Sequence, residues 1–184
     1  MDMKNDIIET IEIPQGTDAI LEGSSLTLKK GGIESKKSFK ISNVEVNIRK
    51  EGSKIILEAK KATRNEGKII NTIRAHINNM ILGMDKKYVY KLKVCSVHFP
   101  IAVSKEGNFI VVKNFLGEEK PRKAEILKNA DARIEKDMIT IESPDKEAAG
   151  QTAANIENAT RVRAKDRRVF QDGIFMTEKC GKDI

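Results

Sequence analysis

The feature that most constrains the fold of this chain is an approximate internal repeat in its apolar pattern. Each half contains a β-rich run, then a short aliphatic strand, then a helix. The same number of positions separates Leu28 from Val112 and Leu57 from Ile141, and the helices that follow fall one residue short of that spacing. A constant spacing of this kind predicts a duplicated domain.

Strands are predicted where apolar and polar residues alternate. Gly31 and Gly32 predict a hairpin turn between Leu28 and Phe39. The alternating sets are Phe39, Ile41, Val44, Val46 and Ile48; Ile55, Leu57 and Ala59; and Tyr88, Tyr90, Leu92 and Val94.

The first helix is predicted from its end signals. Thr63 and Glu66 have the spacing of a capping box, in which the two side chains satisfy free amides at a helix start. Gly83 offers a C-terminal stop. The apolar residues between them recur at three- and four-residue steps and define one buried face: Ile69, Ile73, Ile77, Met80 and Ile81.

The second helix has weaker signals. Ser143 is a candidate N-cap, and Pro144 suits the first helical position. Asp145 and Glu147 would complement the positive end of the helix. Its apolar face is slimmer and consists of Ala149, Ala153 and Ile156.

These patterns together predict an α+β fold with two tandem, related domains. The expected boundaries are residues 1–83 and residues 84–184. Each domain is expected to be a small, mainly antiparallel sheet with one face covered by a helix. Domains of this size can bury a workable core without metal or disulfide support.

Composition favours an acidic partner. The 184 residues include 34 Lys plus Arg against 27 Asp plus Glu, a net charge of +7. A basic balance of this kind favours nucleic acid over a neutral small molecule, although mild basicity alone is weak support. Neither a signal peptide nor an apolar run of about 18 residues is present, so an intracellular, soluble protein is expected. The two cysteines are too few for a disulfide framework.

The densest positive charge lies in residues 161–168, which we call the basic segment. It carries a single acid, Asp166. If the segment is extended, alternate cations share one face and could follow a phosphate backbone. Its five cations are Arg161, Arg163, Lys165, Arg167 and Arg168.

The residues after the basic segment argue against a solvated, disordered tail, because such a tail would not carry a cluster of apolar residues. Core packing is the favoured role for this cluster, and stacking of Phe170 and Phe175 on bases is the alternative. Asp172 and Gly173 predict a tight turn that depends on glycine's freedom and on local hydrogen bonds of the carboxylate. The apolar residues are Phe170, Ile174, Phe175 and Met176.

The C-terminal pattern resembles that of a ribosomal protein family. The matching positions are Lys165, Arg168, Phe170, Asp172, Gly173, Ile174, Phe175, Met176 and Lys179, with further family hallmarks at His98-Phe99-Pro100-Ile101 and Asn114-Phe115-Leu116-Gly117-Glu118. The family is the large-subunit protein that bacterial naming numbers six and eukaryotic naming numbers nine, in its archaeal and eukaryotic form. Asn158 departs from the family's usual Gln, and the loop at Gly31 and Gly32 lacks the proline commonly found there.

The resemblance implies two related α+β domains and a structural role in the cytoplasmic large ribosomal subunit. The implied partners are large-subunit rRNA, bound mainly through the C-terminal domain, and neighbouring ribosomal proteins. It also implies a position beside the sarcin-ricin loop, near the region where translation factors bind. The mechanism would be recognition of backbone shape and phosphate, because A-form RNA hides its major groove.

Further candidate RNA contacts lie outside the basic segment. The loop with Lys120, Arg122 and Lys123 has a small net charge, so charge alone does not identify it as an RNA contact. With the family resemblance, an RNA contact and a solvated loop are equally favoured. Lys179 is a candidate RNA contact because it matches the family's C-terminal pattern. For His98, a structural role at a strand end and a phosphate contact both stay open.

The sequence contains no candidate for catalysis, a metal site or a cofactor. Cys95 and His98 form half of a zinc-like pattern without a matching second pair. No nucleophile, base and acid arrangement follows from two histidines, so an enzyme with a small-molecule substrate is not expected. The main alternative is an RNA-modifying enzyme or its accessory RNA-binding subunit. A third possibility, a module for acidic proteins or membranes, lacks a basic amphipathic helix, and no membrane partner is expected.

Overall fold

The computed structural model describes residues 5–39 and 46–184. It has an α+β architecture in which the chain divides after Lys86 into two compact units. The predicted fold class is therefore confirmed.

In the part of the first unit that the structure describes, there are six strands and one helix. β1 (Asn5–Glu12), β6 (Lys54–Ala62) and β5 (Asn47–Glu51) form one antiparallel sheet in that order. β2 (Asp18–Glu22), β3 (Ser25–Lys30) and β4 (Ile33–Ser38) form a second antiparallel sheet. Gly31 and Gly32, both with positive φ, make the predicted hairpin turn between β3 and β4.

The helix α1 (Arg64–Asp85) begins where the capping box predicts. The hydroxyl of Thr63 accepts from the amide of Asn65, and the carboxylate of Glu66 accepts from the amide of Thr63. The predicted stop at Gly83 is wrong, because Gly83 is buried within the last turn and the helix continues to Asp85. The helix ends at Lys86, whose extended backbone leads out of it while its amide donates to Leu82.

The predicted apolar face of α1 is confirmed with a slight rotation. Ile69 and Ile81 lie at its margin, packed against the core but only partly buried. The strand alternation in β6 is confirmed, while Ile41 and Val44 lie outside the described residues; Phe39 and Val46 are buried just after β4 and just before β5. The buried helix positions are Ile70, Ile73, Ile77, Met80, Gly83 and Met84.

The second unit repeats this order of elements and adds to it. β8 (Ala102–Glu106), β9 (Phe109–Lys113) and β10 (Arg122–Glu125) form one antiparallel sheet. β11 (Asp131–Glu135), β12 (Met138–Ser143), β7 (Tyr88–Cys95), β13 (Gly173–Lys179) and β14 (Lys182–Asp183) form another in that order. A short 3-10 turn (Phe115–Gly117) precedes β10, and α2 (Lys146–Ala159) follows β12.

The repeat is visible in the strand pairing of each unit. β1 pairs with β6 as β7 pairs with β12, and a three-stranded meander lies between them in the chain in both cases. Leu28 and Val112 are both buried at the central strand of their meanders. The difference is that β7 also pairs with β13, so the residues after α2 extend the second sheet.

The start of α2 differs from the prediction. Ser143 is the last residue of β12, and its hydroxyl accepts from the amide of Asp145. Asp145 is the N-cap, because its carboxylate accepts from the amide of Glu147. The predicted apolar face is confirmed: Ala149, Ala153 and Ile156 are fully buried in the core of this unit. Within the described residues, neither helix is long and apolar enough to span a membrane.

Candidate nucleic-acid interface

The basic segment leaves the end of α2 and does not run as a strand. It bends around Ala164, which has a φ of 56°. The amides of Val169 and Phe170 then donate to the carbonyl of Asp166 at 3.1 and 2.9 Å, which closes a turn. The predicted extended conformation, with alternate cations on one face, is therefore wrong. The cause is a left-handed backbone at Ala164, which strand alternation does not anticipate.

The five cations of the basic segment are exposed, whereas Val162 packs against the core of the unit. Arg168 is paired with Asp166, with its Nη2 at 2.8 Å from Oδ2. This hydrogen bonding lowers the pKa of Asp166 and raises the pKa of Arg168. Among the described residues, Arg161, Arg163 and Arg167 form no ion pair, so three guanidinium groups are available to an outside anion.

Arg122 holds the upstream end of the basic segment. Its Nη1 donates to the carbonyls of Ala159 and Arg161 at 2.9 and 3.3 Å, where α2 ends. Carbonyls at a helix end lack helical partners, and a guanidinium satisfies them well. Arg122 therefore fixes the point at which the basic segment leaves the helix.

Arg122 is itself fixed by two neighbours. Its Nε and Nη2 donate to the two carboxylate oxygens of Glu118 at 2.8 and 2.6 Å, and its guanidinium lies 4.2 Å from the ring centroid of the buried Phe115. Hydrogen bonds from Arg122 lower the pKa of Glu118. Most of the donors of Arg122 are thus used within the protein, whereas the nearby Lys120 and Lys123 are exposed. Glu118 and Arg122 are four positions apart but do not lie on a helix, so the helical i,i+4 rule does not predict this pairing.

The downstream end of the basic segment is held by Asp172. This carboxylate is buried and accepts from the amides of Val97 and His98 at 2.7 and 3.0 Å. Its second oxygen lies 2.6 Å from Nδ1 of His98. The predicted tight turn with local hydrogen bonds is wrong, because Asp172 binds a loop far away in the chain and Gly173 is already in β13 with no positive φ.

The pKa of Asp172 reflects this environment. Burial acts to raise the pKa, but the hydrogen bonds from His98 and Val97 outweigh it and lower the pKa to about 2. The carboxylate is therefore ionised at neutral pH and accepts only, so Nδ1 of His98 carries the proton it donates. Two roles were considered for His98, and its contacts with Asp172 support the structural one.

Phe170 connects this cluster to the basic segment. Its ring is stacked on the His98 imidazole, with centroids 5.2 Å apart and planes inclined by 28°. The ammonium of Lys165 lies 4.6 Å from the centroid of the Phe170 ring and makes a cation–π contact with it. A continuous series of contacts therefore runs from Asp172 through His98 and Phe170 to Lys165.

The loop that carries His98 is supported by the short 3-10 turn. Asn114 Nδ2 donates to the carbonyl of Pro100 at 3.0 Å, and the ring of Phe99 lies close to Gly117. Asn114, Leu116 and Gly117 all have positive φ. Two of the three sequence hallmarks thus contact one another, and the third, at Asp172, binds the same loop.

A cavity of about 600 Å³ lies between the end of α2 and the start of β13. Its apolar lining includes Val97, Ile174 and Phe175, and Arg161 and Arg167 also line it. Nothing in the sequence patterns predicted this cavity, because it depends on how the segment after α2 returns to β7.

The remaining predicted cation, Lys179, lies elsewhere. Lys179 is at the far end of β13, about 20 Å along the strand from Gly173, and close to the β14 hairpin. In the first unit, Lys29 and Lys30 of the β3–β4 hairpin pair with Glu34 and Asp85. Within the described residues, no group of three or more His, Cys, Asp or Glu side chains could hold a metal ion.

Comparisons with known proteins find one family that this chain resembles. A sequence profile of the family described as ribosomal protein L6 matches residues 99–173, a range that includes Arg122, the basic segment and Asp172. The chain is 38% identical over 176 residues to the large ribosomal subunit protein uL6 of Methanococcus vannielii, covering 96% of each chain. It is 40% identical over 177 residues to the protein of the same name from Methanothrix thermoacetophila, covering 96% of this chain and 99% of that one.

Fold, basic segment and relatives together define a structural protein of the large ribosomal subunit. The chain belongs to the ribosomal protein L6 family, in its archaeal form. This membership confirms the predicted family and the predicted location in the large subunit of the cytoplasmic ribosome. It also agrees with the expectation that the chain is not an enzyme, and it disfavours the alternative of an RNA-modifying enzyme.

Proposed function

We propose that the chain binds large-subunit rRNA chiefly through residues 84–184, with the basic segment as the main phosphate contact. The observation that carries this proposal is that an exposed cationic segment is anchored at both ends. Arg122 holds its start at α2, and the contacts of Asp172 and Phe170 hold its end. An anchored segment presents its cations in a fixed arrangement, so less conformational entropy is lost on binding.

The phosphate contacts we propose are Arg161, Arg163, Lys165, Arg167 and Arg168, with Lys120 and Lys123 on the neighbouring loop. Arg122 and His98 would act by positioning, because their polar groups are engaged within the protein. Lys179 would meet a different part of the RNA, given its distance along β13. Arg168 would exchange Asp166 for phosphate, which costs little because exposed ion pairs are weak.

Resemblance to the family supports two finer proposals. Neighbouring ribosomal proteins would contact the chain in the subunit, and its position would be near the region where translation factors bind. Recognition would follow backbone trajectory and 2'-hydroxyls more than base sequence.

The test is the salt dependence of binding to fragments that together tile the large-subunit rRNA. Replacing Arg161, Arg163 and Arg167 with Ala should weaken binding and flatten the log–log salt slope by roughly 0.7 to 0.9 per lost phosphate contact. The matched control replaces three exposed cations of the same unit, Lys113, Lys128 and Arg133, with Ala. An equal loss in both variants would attribute binding to net charge, and an unchanged slope in the first would remove the basic segment from the interface.

A further inference from the structure

The cavity between α2 and β13 combines features that a single RNA base would use. Its volume of about 600 Å³ falls in the range of roughly 300–1,000 Å³ that is typical of small-molecule sites. The rings of Phe170 and Phe175 line it, and Phe175 is 37% exposed, so a ring face is accessible to an incoming base. Unstacked bases of RNA commonly stack on such aromatic side chains.

The charge around the cavity fits a nucleotide. Arg161 and Arg167 line it, and neither forms an ion pair among the described residues. A guanidinium can bind a phosphate oxygen pair in a fork. A base inside the cavity would therefore bring its own phosphate next to the two arginines.

The polar lining has few groups left for a ligand. Thr160 donates to carbonyls of α2 and accepts from the amide of Ile174, and Asp172 is committed to His98. Glu157 and Asn158 also line the cavity, and their side chains have no hydrogen-bond partner among the described residues. The half-buried carboxylate of Glu157 is thus an unused acceptor.

We infer that this cavity binds one unstacked guanosine of the rRNA, with Glu157 recognising the base. An ionised carboxylate offers acceptors only. Guanine is the base whose Watson–Crick edge presents two adjacent donors, N1–H and the 2-amino group, which fit the two carboxylate oxygens. Adenine, cytosine and uracil lack this pair of donors. The inference rests on the proposed function, since it requires that the second unit contacts RNA.

The first experiment compares three short single-stranded RNAs bound to the full chain at one ionic strength. Each is an oligouridine with guanosine, inosine or an abasic site at the central position. Inosine lacks only the 2-amino group, so it isolates the second donor. We expect guanosine to bind about 5- to 150-fold more tightly than inosine, the range that corresponds to roughly 1–3 kcal/mol for a bidentate contact.

Glu157→Gln should abolish the preference for guanosine over inosine, because an amide offers one acceptor where the carboxylate offers two. The matched control is Glu135→Gln, which removes the same charge at an exposed position of β11 outside the cavity. Thermal unfolding checks that both variants are folded. Equal binding of the three RNAs by the native chain, or a preference that survives in Glu157→Gln, would overturn the inference.

A second experiment places a photoactivatable phenylalanine at position 175 in assembled large subunits. We expect the crosslink to fall on an rRNA guanosine, and a crosslink to a neighbouring ribosomal protein would overturn the inference. The two proposals fail separately. If the three-arginine variant still loses rRNA binding while the guanosine tests fail, the proposed function stands and only the assignment of this cavity falls.

Discussion

The carboxylate of Asp172 and the imidazole of His98, 74 positions apart in the chain, contact each other at 2.6 Å. Asp172 also accepts from two amides of the loop that precedes β8. One buried carboxylate thus joins the start of β13 to the loop after β7. Because the basic segment lies directly upstream of Asp172, its position depends on this contact.

Replacing Asp172 tests this contact through pH. The pKa of Asp172 is lower in the folded chain than in the unfolded chain, so its contribution is present above about pH 4 and is lost as the pH falls toward the folded pKa of about 2. Asp172→Asn should lower the free energy of unfolding by about 2 kcal/mol at neutral pH, and this deficit should shrink in acid. Chemical denaturation at several pH values measures it. The exposed Asp137→Asn is the control, and a deficit that does not change with pH would contradict the prediction.

Arg122 should be essential for order in the basic segment and not for phosphate binding itself. Arg122→Lys keeps the charge but cannot reproduce the fork to Glu118 together with the bonds to Ala159 and Arg161. Amide exchange in residues 160–168 should become faster, and RNA affinity should fall without a change in the salt slope. Exchange measured by mass spectrometry checks the first effect. Arg133→Lys, at an exposed site on β11, should leave both quantities unchanged, and a flattened slope for Arg122→Lys would show that Arg122 binds phosphate directly.

Gly173 is constrained by its neighbour and not by a turn. A Cβ at this position would lie 2.9 Å from Cζ of Phe175. Gly173→Ala should therefore displace the Phe175 ring, and because this ring is partly exposed and can move, we expect a destabilisation below about 1 kcal/mol, the low end of overpacking costs. In Gly173→Ala combined with Phe175→Leu, the smaller side chain should relieve part of this cost. Thermal unfolding of the four variants of this cycle gives the coupling, and simple additivity would argue against the contact.

Thr63 should stabilise α1 through the capping box. Thr63→Ala removes the acceptor for the amide of Asn65 and should cost about 1 kcal/mol of folding stability. Thr72 lies on the exposed surface of the same helix, where its hydroxyl donates to the carbonyl of Lys68, and Thr72→Ala should be nearly neutral. Urea denaturation compares the two variants, and equal effects would mean that the capping box adds little.

Patterns of short range were predicted well from the sequence. The capping box at Thr63, the hairpin at Gly31 and Gly32 and the alternation in β6 each depend on neighbours within a few residues. The stop at Gly83 failed because a glycine signals a helix end only where the backbone turns left-handed, and here packing keeps it helical.

The candidate site was predicted in composition but not in geometry. Clustered cations identified residues 161–168, yet the bend at Ala164 has no sequence signal. The roles of Asp172 and Arg122 depend on partners brought near by the fold. Local rules therefore assigned Asp172 to a turn, and the family resemblance made Arg122 only an even choice as an RNA contact. The cavity near Glu157 was missed for the same reason, because residues from β7, α2 and β13 line it.

The pairing of β13 with β7 has a kinetic consequence for the proposed complex with rRNA. The basic segment is attached to α2 at one end and to β13 at the other. Because β13 pairs with β7, both ends of the segment are fixed to the folded unit. In the proposed complex, docking would require little rearrangement, and loosening either attachment should mostly shorten the lifetime of the bound state, with a smaller effect on the rate of encounter.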